Sequence, residues 1–123
     1  MKTSIQFINH ASIIVSDGEI GVLSDPWYTG DAFHKGWNLL HENSAQEVLS
    51  ILDTITHIWI SHEHPDHFSP PFFLKYQKII IDRKIKILFQ HTMDKRVINF
   101  LKSKNLEVIE IKDNSNYVIN ENF

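Results

Sequence analysis

The stretch Thr56–Phe68, with the sequence THIWISHEHPDHF, decides how the rest of the chain is interpreted. Its first five residues are mostly β-branched or aromatic, which predicts a buried strand. The residues after the stretch predict a helix, with Ser69 as N-cap and Pro70 in the first helical position. The loop between this strand and this helix is a place where rigid scaffolds commonly present binding residues. It carries four side chains that commonly bind metal ions: His62, His64, Asp66 and His67.

The spacing of these four side chains has a physical reason. His62 and His64 are two residues apart, so at an extended strand end they point to the same side. Pro65 restricts His64 to extended conformations, after which the chain can turn and present Asp66 and His67 at a second position. Two imidazoles followed by a carboxylate and a third imidazole suit two adjacent divalent ions, which activate a shared water in two-metal enzymes. A histidine-rich surface loop is the alternative, but this ordered set favours two ions, with Zn as the leading candidate and Mn or Fe as the others.

The composition predicts one small domain that binds neither nucleic acid nor membrane. A chain of 123 residues suffices for one hydrophobic core and is too short for two ordinary domains. The net charge is -3 without a long run of one sign, which argues against a nucleic-acid groove or a basic membrane-binding face. The chain has no cysteine and no apolar run of about 18 residues, so we expect no disulfide, no membrane span and a cytoplasmic location.

The apolar patterns and turn residues predict a mixed α/β chain. Three short strands, at 4–8, 11–16 and 20–24, are close enough in sequence to form an antiparallel meander. Ser44 and Glu47 are spaced as a capping box and predict a helix that runs to about Leu52, with Val48 and Leu49 also facing inward. Further patterns predict a helix after Pro70, a strand at 84–90, a helix at 93–102 capped by Thr92, a strand at 106–111 and the start of another at 116–119.

The metal-binding loop resembles the signature of the metallo-β-lactamase fold superfamily, His-x-His-x-Asp-His after an apolar strand. Three earlier segments are similar to one branch of it: Asn9-His10-Ala11-Ser12, Leu23-Ser24-Asp25-Pro26-Trp27 and Phe33-x-x-Gly36-Trp37. That branch contains L-ascorbate-6-phosphate lactonase, N-acyl-phosphatidylethanolamine phospholipase D and the metallo-hydrolase part of CMP-N-acetylneuraminate hydroxylase. The resemblance covers nearly the whole chain and implies the N-terminal half of an αββα sandwich.

The resemblance also implies how the ligands are shared between two ions. The first two histidines of the motif would bind one ion, and Asp66 and His67 would bind the other. A bridging carboxylate and two more histidines would come from a later segment, yet the sequence has no histidine after His91. Substitution by His10, His34 or His91 as ligands is the less favoured alternative. We therefore expect residues 1–123 to be a single, incomplete domain of this type. A second copy or a C-terminal half would then complete the site.

Two residues of the earlier segments have two interpretations each. His10 is either a turn or packing histidine, which the sequence alone slightly favours, or, by the resemblance, a neighbour of the metal pocket. Asp25 either caps the turn at Pro26 or accepts the free N–H of a metal-bound imidazole, and the resemblance favours the second role. We take His10, Asp25 and Asp66 as candidate catalytic residues.

Residues 27–41 form a loop rich in aromatic side chains, among them Trp27, Tyr28, Phe33 and Trp37. A loop of this kind covers either the edge of the core or the mouth of a pocket, and the sequence favours neither. The resemblance implies that it forms one wall of an active-site cleft.

Together these patterns predict a metal-dependent hydrolase that acts on a lactone, ester or phosphodiester bond of a small-molecule substrate. Asp66 would hold one ion and orient the attacking hydroxide. The alternative is a non-catalytic metal-binding or assembly module that a second chain completes. Hydroxylation, as in one member of the branch, needs an iron–sulfur domain with cysteine ligands, and this sequence has no cysteine. It is set aside unless a partner supplies the iron–sulfur centre.

Overall fold

A six-stranded mixed sheet organises residues 2–123, the part of the chain that the computed structural model describes. Its strand order is first, second, third, sixth, seventh, eighth, while the fourth and fifth strands form a separate small hairpin. In chain order the elements are β1 (Ser4–Asn9), β2 (Ser12–Ser16), β3 (Gly21–Ser24), β4 (Asp31–Ala32), β5 (Trp37–Asn38), α1 (Ala45–Leu52), β6 (His57–Ile60), α2 (Pro70–Lys75), α3 (Gln77–Asp82), β7 (Lys86–Gln90), α4 (Arg96–Ser103) and β8 (Val108–Ile111).

The strand directions bring three loops to one edge of the sheet. β1, β2 and β3 form the predicted antiparallel meander, whereas β3, β6, β7 and β8 are parallel neighbours. The turn before β2 therefore lies at the same edge as the ends of β3 and β6. That edge carries His10, Asp25 and the loop that follows Ile60, although they are far apart in sequence.

One face of the sheet packs against the helices. Leu23, Ile58 and Ile87 of the central strands are fully buried and belong to one hydrophobic cluster with side chains of the helices. The helical members of the cluster include Val48, Leu52, Phe72, Phe73, Tyr76, Ile80, Val97, Ile98 and Leu101. Core packing by the aromatic residues after Pro70 is thus confirmed.

The other face of the sheet is more open. Ile5 and Phe7 of β1 point to it and are 71% and 69% exposed. The segment after β8 returns towards the turn between β2 and β3, where the side-chain amides of Asn120 and Asn122 donate to Oδ2 of Asp17. None of the helices in residues 2–123 is long and apolar enough to cross a membrane.

Asp17 is the anchor for this returning segment. Its Oδ1 accepts the backbone N–H groups of Ile20 and Glu19, and its Oδ2 accepts the two asparagine amides. The backbone bond from Ile20 is the largest of the effects that lower the pKa of Asp17 to about 2. The carboxylate therefore ties the C-terminal segment to the meander as long as it stays ionised.

Several local predictions were wrong, each for a physical reason. Residues 116–119 form no strand, because the segment is tied to Asp17 rather than paired at the sheet edge. Leu49 is 39% exposed, since α1 is short and buries only Val48 and Leu52. The helix predicted after Pro70 is split into α2 and α3.

The start of the fourth helix also differs from the prediction. α4 begins at Arg96 with Lys95 as N-cap, and Thr92 caps nothing because its hydroxyl donates to the carbonyl of Asp94. The carboxylate of Asp94 instead accepts the backbone N–H of Arg96. The capping box of α1 is confirmed, with Ser44 and Glu47 bonded to each other's backbone N–H groups.

Candidate metal centre

A tight turn shapes the loop that carries the four predicted ligands. The carbonyl of His64 accepts the backbone N–H groups of His67 and Phe68 at 2.9 and 2.8 Å. The chain therefore reverses direction directly after His64, as Pro65 predicts. The loop ends at α2, where Ser69 occupies the N-cap position but makes no side-chain capping bond.

His62 and His64 bring two ring nitrogens together. Nε2 of His62 lies 3.0 Å from Nδ1 of His64, and the ring centroids are 4.6 Å apart. Oε1 of Glu63 lies 3.7 Å from the other nitrogen of His64. The two rings thus point to one side of the loop, as their spacing predicts.

Asp66 and His67 form a second group, and His10 joins it. Oδ2 of Asp66 lies 2.9 Å from Nε2 of His10 and 3.3 Å from Nε2 of His67. The three ligand atoms all lie within 4.8 Å of one another, so one metal ion can contact all three. His10 therefore lies beside the predicted ligands, which is the interpretation that the sequence alone slightly disfavoured.

Asp25 holds the ring of His67 from behind. Its Oδ2 is 2.8 Å from Nδ1 of His67 and 2.6 Å from the hydroxyl of Ser61, while Oδ1 accepts the backbone N–H of Ser61 at 2.7 Å. An ionised carboxylate only accepts hydrogen bonds, so Nδ1 of His67 carries the proton. In the neutral imidazole that binds a metal ion, Nε2 then carries the lone pair, on the side that faces Asp66. Asp25 thus fixes the tautomer that a metal ligand requires.

Ser61 fixes the tautomer of His62 in the same way. Its hydroxyl donates a hydrogen bond to Asp25, so its oxygen accepts a hydrogen bond from Nδ1–H of His62 at 2.8 Å. In neutral His62, Nε2 then carries the lone pair, which faces Nδ1 of His64 at 3.0 Å. Sequence reasoning missed Ser61, and its place between the strand and the first histidine was the only signal for it.

Asp66 is buried, and its neighbours favour its ionised form. It is 5% exposed. Burial works against ionisation, but the hydrogen bond from His10 and the nearby His67 outweigh it and lower the pKa of Asp66. A buried carboxylate that keeps its charge is a suitable ligand for a divalent ion.

The aromatic loop is divided between the core and the surface. Trp27 and Tyr28 are buried, and the hydroxyl of Tyr28 hydrogen-bonds to Ser12 at 2.6 Å. Phe33 and Trp37 of the β4–β5 hairpin are exposed and pack against each other edge-on. Trp27 and Tyr28 therefore cover the core, and the role of Phe33 and Trp37 at a pocket mouth stays a prediction.

The hairpin stands directly beside the candidate ligands. The ring of Phe33 lies 6.1 Å from that of His64, and the ring of Trp37 lies 6.2 Å from that of His10. Three successive residues at its tip, from Phe33 to Lys35, have positive φ angles. This conformation is unusual for residues with side chains, and such positions concentrate at functional sites.

Comparison with solved structures shows which fold the chain has. CmlA, a diiron beta-hydroxylase from Streptomyces venezuelae, superposes with a TM-score of 0.64 and 16% identity over 95% of this chain and 22% of its own. A structure described as a possible metal-dependent hydrolase from Veillonella parvula gives a TM-score of 0.52 and 18% identity over 86% of this chain and 40% of its own. The chain carries part of a metallo-β-lactamase-like fold. The predicted fold class is thereby confirmed.

Sequence comparison finds relatives of this metallo-β-lactamase-like chain among much longer proteins. Cytidine monophosphate-N-acetylneuraminic acid hydroxylase of Danio rerio is 40% identical over 70 residues, which are 57% of this chain and 12% of that protein. The human relative, described as inactive, is 38% identical over 74 residues and 15% of its length. The chain thus spans a small part of the curated relatives it matches. No protein-family model matches it.

The side chains that meet at this edge of the sheet fit a divalent metal ion. Nε2 of His67 lies 3.3 Å from Oδ2 of Asp66, so a metal ion bound between them would have one imidazole donor and one carboxylate donor. Imidazole and carboxylate together suit Zn, Mn and Fe. His62 and His64 supply two further imidazole nitrogens close by, since the rings of His62 and His67 pack with centroids 4.1 Å apart.

Two further histidines, His91 and His57, make contacts away from the candidate ligands. His91 is 3.1 Å from Glu110, which also pairs with Lys95 at 2.9 Å. His57 is buried beside the hydroxyl of Thr56, and burial, together with the charge of Lys86, lowers its pKa. His91 therefore joins a surface ion-pair group and not the candidate ligands.

Proposed function

We propose that this chain forms the metal-binding part of a metal-dependent hydrolase that cleaves a lactone, ester or phosphodiester bond in a small molecule. The convergence of His62 with His64, and of Asp66 with His67, at one edge of the sheet is the observation that carries the proposal. The absence of cysteine supports action in a reducing compartment such as the cytoplasm. Residues 1–123 act in this proposal as one unit.

The metal supplies one part of the chemistry and the side chains supply the rest. Two divalent ions, with Zn favoured over Mn or Fe, would be held by His62, His64, Asp66 and His67, and would lower the pKa of a water and polarise the scissile group. Asp66 stays ionised because of its neighbours and keeps its acceptor atoms free of protons. Asp25 and Ser61 hold the imidazoles in the tautomers that leave Nε2 available.

The aromatic hairpin positions the substrate in this proposal. Phe33 and Trp37 offer exposed ring faces next to His64 and His10. Aromatic faces bind planar or apolar groups without hydrogen-bond demands. They would hold the part of the substrate that does not react, so that the scissile bond lies over the ligands.

The test is metal content followed by hydrolysis assays. The purified chain is loaded with Zn²⁺, desalted and analysed for metal per chain, next to His64→Ala and the control His41→Ala. His41 is an exposed histidine of the same loop region, so its loss removes an imidazole but no candidate ligand. We expect close to two ions per chain in the wild type and the control, and fewer in His64→Ala.

The same samples are then assayed on lactone, carboxylic ester and phosphodiester substrates. Metal-dependent hydrolysis that is lost in His64→Ala supports the proposal. Equal metal content in His64→Ala and wild type would overturn the assignment of the loop. Metal binding without hydrolysis of any of the three bond types would overturn the assignment of the reaction.

A second function is favoured by the names of the relatives. The sequence relatives are hydroxylases, and one of the fold relatives is a diiron hydroxylase. A set of two histidines and one carboxylate also suits Fe(II). The chain would then form the metal-binding part of a larger oxidising assembly, completed by a partner with a redox centre. Preference for Fe(II) over Zn²⁺ in competition, with oxygen uptake only when a reductant is added, would favour this function over hydrolysis.

A further inference from the structure

The turn that carries His10 is irregular in a way that places its ring. His10 has a φ of +47°, in the left-handed region that residues with side chains seldom adopt. The β1–β2 register shifts between Phe7 and Asn9, immediately before it. A regular turn would continue the alternation of the strand, whereas this one directs the ring towards the loop after β6. Strain of this kind persists when the surroundings hold it in place.

Aromatic neighbours hold the ring of His10 in that direction. Trp27, which is buried, packs edge-on against it with centroids 5.1 Å apart, and Trp37 packs on it at 6.2 Å. These two contacts flank the ring, although the side chain remains 32% exposed. Its Nε2 atom ends 2.9 Å from Oδ2 of Asp66.

The geometry around Asp66 has three ligand atoms and not two. Asp66 offers Oδ2. His67 offers Nε2, because its Nδ1–H group donates a hydrogen bond to Asp25. Nε2 of His10 lies within 4.8 Å of both. The three atoms come from two segments that meet only in the folded chain, the β1–β2 turn and the loop after β6.

We propose that His10 binds, through Nε2, the same metal ion as Asp66 and His67. The ion then has two imidazoles and one carboxylate from within this chain, a set that in metalloenzymes leaves positions open for water or substrate. His62 and His64 belong to the neighbouring position and are not needed for this ion. The inference rests on the metal binding in the proposed function, and not on the reaction.

The competing explanation is that His10 only donates a hydrogen bond to Asp66. The two differ in what a metal ion does to His10. As a ligand, neutral His10 binds the ion through Nε2 and carries its hydrogen on Nδ1, whereas as a donor it keeps the hydrogen on Nε2. The experiment therefore has to detect whether Nε2 of His10 is bonded to the ion, in addition to measuring the affinity.

The affinity measurement uses Co²⁺ as a coloured probe on the full chain. His10→Asn is the test variant, because asparagine tolerates a positive φ and still donates a hydrogen bond. His34→Asn is the matched control, since His34 also has a positive φ (+53°) and is exposed. Both variants are made in a His62→Ala background, which weakens the neighbouring position.

We expect His10→Asn to bind Co²⁺ at least about a hundredfold more weakly, since changes to groups behind a ligand already cost about 10–100-fold. The visible absorption of the remaining complex should also weaken, as a water replaces the imidazole. His34→Asn should match the background in both respects. Equal affinity and spectrum in His10→Asn and His34→Asn would overturn the inference.

A second measurement needs no substitution and so does not depend on the variants folding. The ¹⁵N-labelled wild-type chain is loaded with ¹¹³Cd²⁺, and coupling between cadmium and imidazole nitrogen is recorded by NMR. Coupling to Nε2 of His10 is expected, and coupling to His67 without His10 would overturn the inference. If His10 couples but no bond type is hydrolysed, the inference stands and the proposed reaction fails; if hydrolysis occurs without His10 coupling, the reverse holds.

Discussion

Asp25→Asn separates the role of the carboxylate from the role of the backbone turn. Asp25 has a φ of +38°, and asparagine tolerates this region nearly as well as aspartate. The amide oxygen can still accept the backbone N–H of Ser61 at the position of Oδ1. The amide nitrogen, however, would meet the hydrogen on Nδ1 of His67 at the place where Oδ2 accepts it at 2.8 Å. His67 then has to change tautomer, which puts its hydrogen on Nε2, towards Asp66.

The expected magnitude follows from the bonds that are lost. Loss of a group that orients a metal ligand commonly weakens metal binding about 10–100-fold, which corresponds to about 1.4–2.8 kcal/mol. Two bonds to a buried charge also become neutral contacts, one from His67 and one from the hydroxyl of Ser61. At about 1 kcal/mol each, the metal-free chain should lose about 2 kcal/mol of unfolding free energy.

Two titrations measure these effects. Isothermal calorimetry with Zn²⁺ gives the affinity, and urea unfolding of the metal-free chain gives the stability. The control is Asp82→Asn, which removes a charge from an exposed position at the end of α3, away from the ligand edge. Wild-type affinity in Asp25→Asn would refute the claim that Asp25 fixes the tautomer of His67. A loss of stability without a loss of affinity would assign Asp25 to the turn alone.

Three further predictions concern the hairpin, the C-terminal segment and the first helix. Phe33→Ala should raise KM with little change in kcat, because its ring offers a binding face next to His64 and does not hold His10 in place; equal losses in both constants would contradict this. Because the pKa of Asp17 is lowered, its contribution to stability is present above about pH 4 and is lost as the pH falls towards about 2. Protection of the backbone amides in residues 117–123 from hydrogen exchange should therefore decrease in that range. In Asp17→Asn the same amides should already exchange fast at neutral pH. Ser44→Ala should cost about 1 kcal/mol of unfolding free energy in urea, while Ser50→Ala in the same helix should cost less, because only Ser44 satisfies a free backbone N–H group.

The fold could be read from sequence wherever local chemistry decides it. The strand before the motif, the meander and the capping box of α1 all depend on residues close in sequence, and all are confirmed. The strand predicted at 116–119 is absent, and the residues just after it are bound to a distant carboxylate, since Asn120 and Asn122 donate to Asp17. Thr92 failed as a cap because Asp94, two residues on, supplies the better acceptor.

The candidate site divides in the same way. The spacing of His62 and His64 predicts that they share a side, and the structure places their nitrogens 3.0 Å apart. The contact of His10 with Asp66 spans 56 residues and depends on β2 and β3 lying between the two segments, so no local pattern could fix it. Whether these side chains bind two ions remains a prediction.

The order of the strands has a consequence for synthesis of the chain. His10, Asp25 and the loop from His62 to His67 follow β1, β3 and β6, and all of them precede α2 in the sequence. A ribosome therefore finishes every candidate ligand before it begins α3, β7, α4 and β8. Because metal binding adds free energy to folding, an ion can stabilise this first half while the second is still being made. Under the proposed metal binding, the supply of metal during translation, and not only afterwards, would affect how much folded protein a cell obtains.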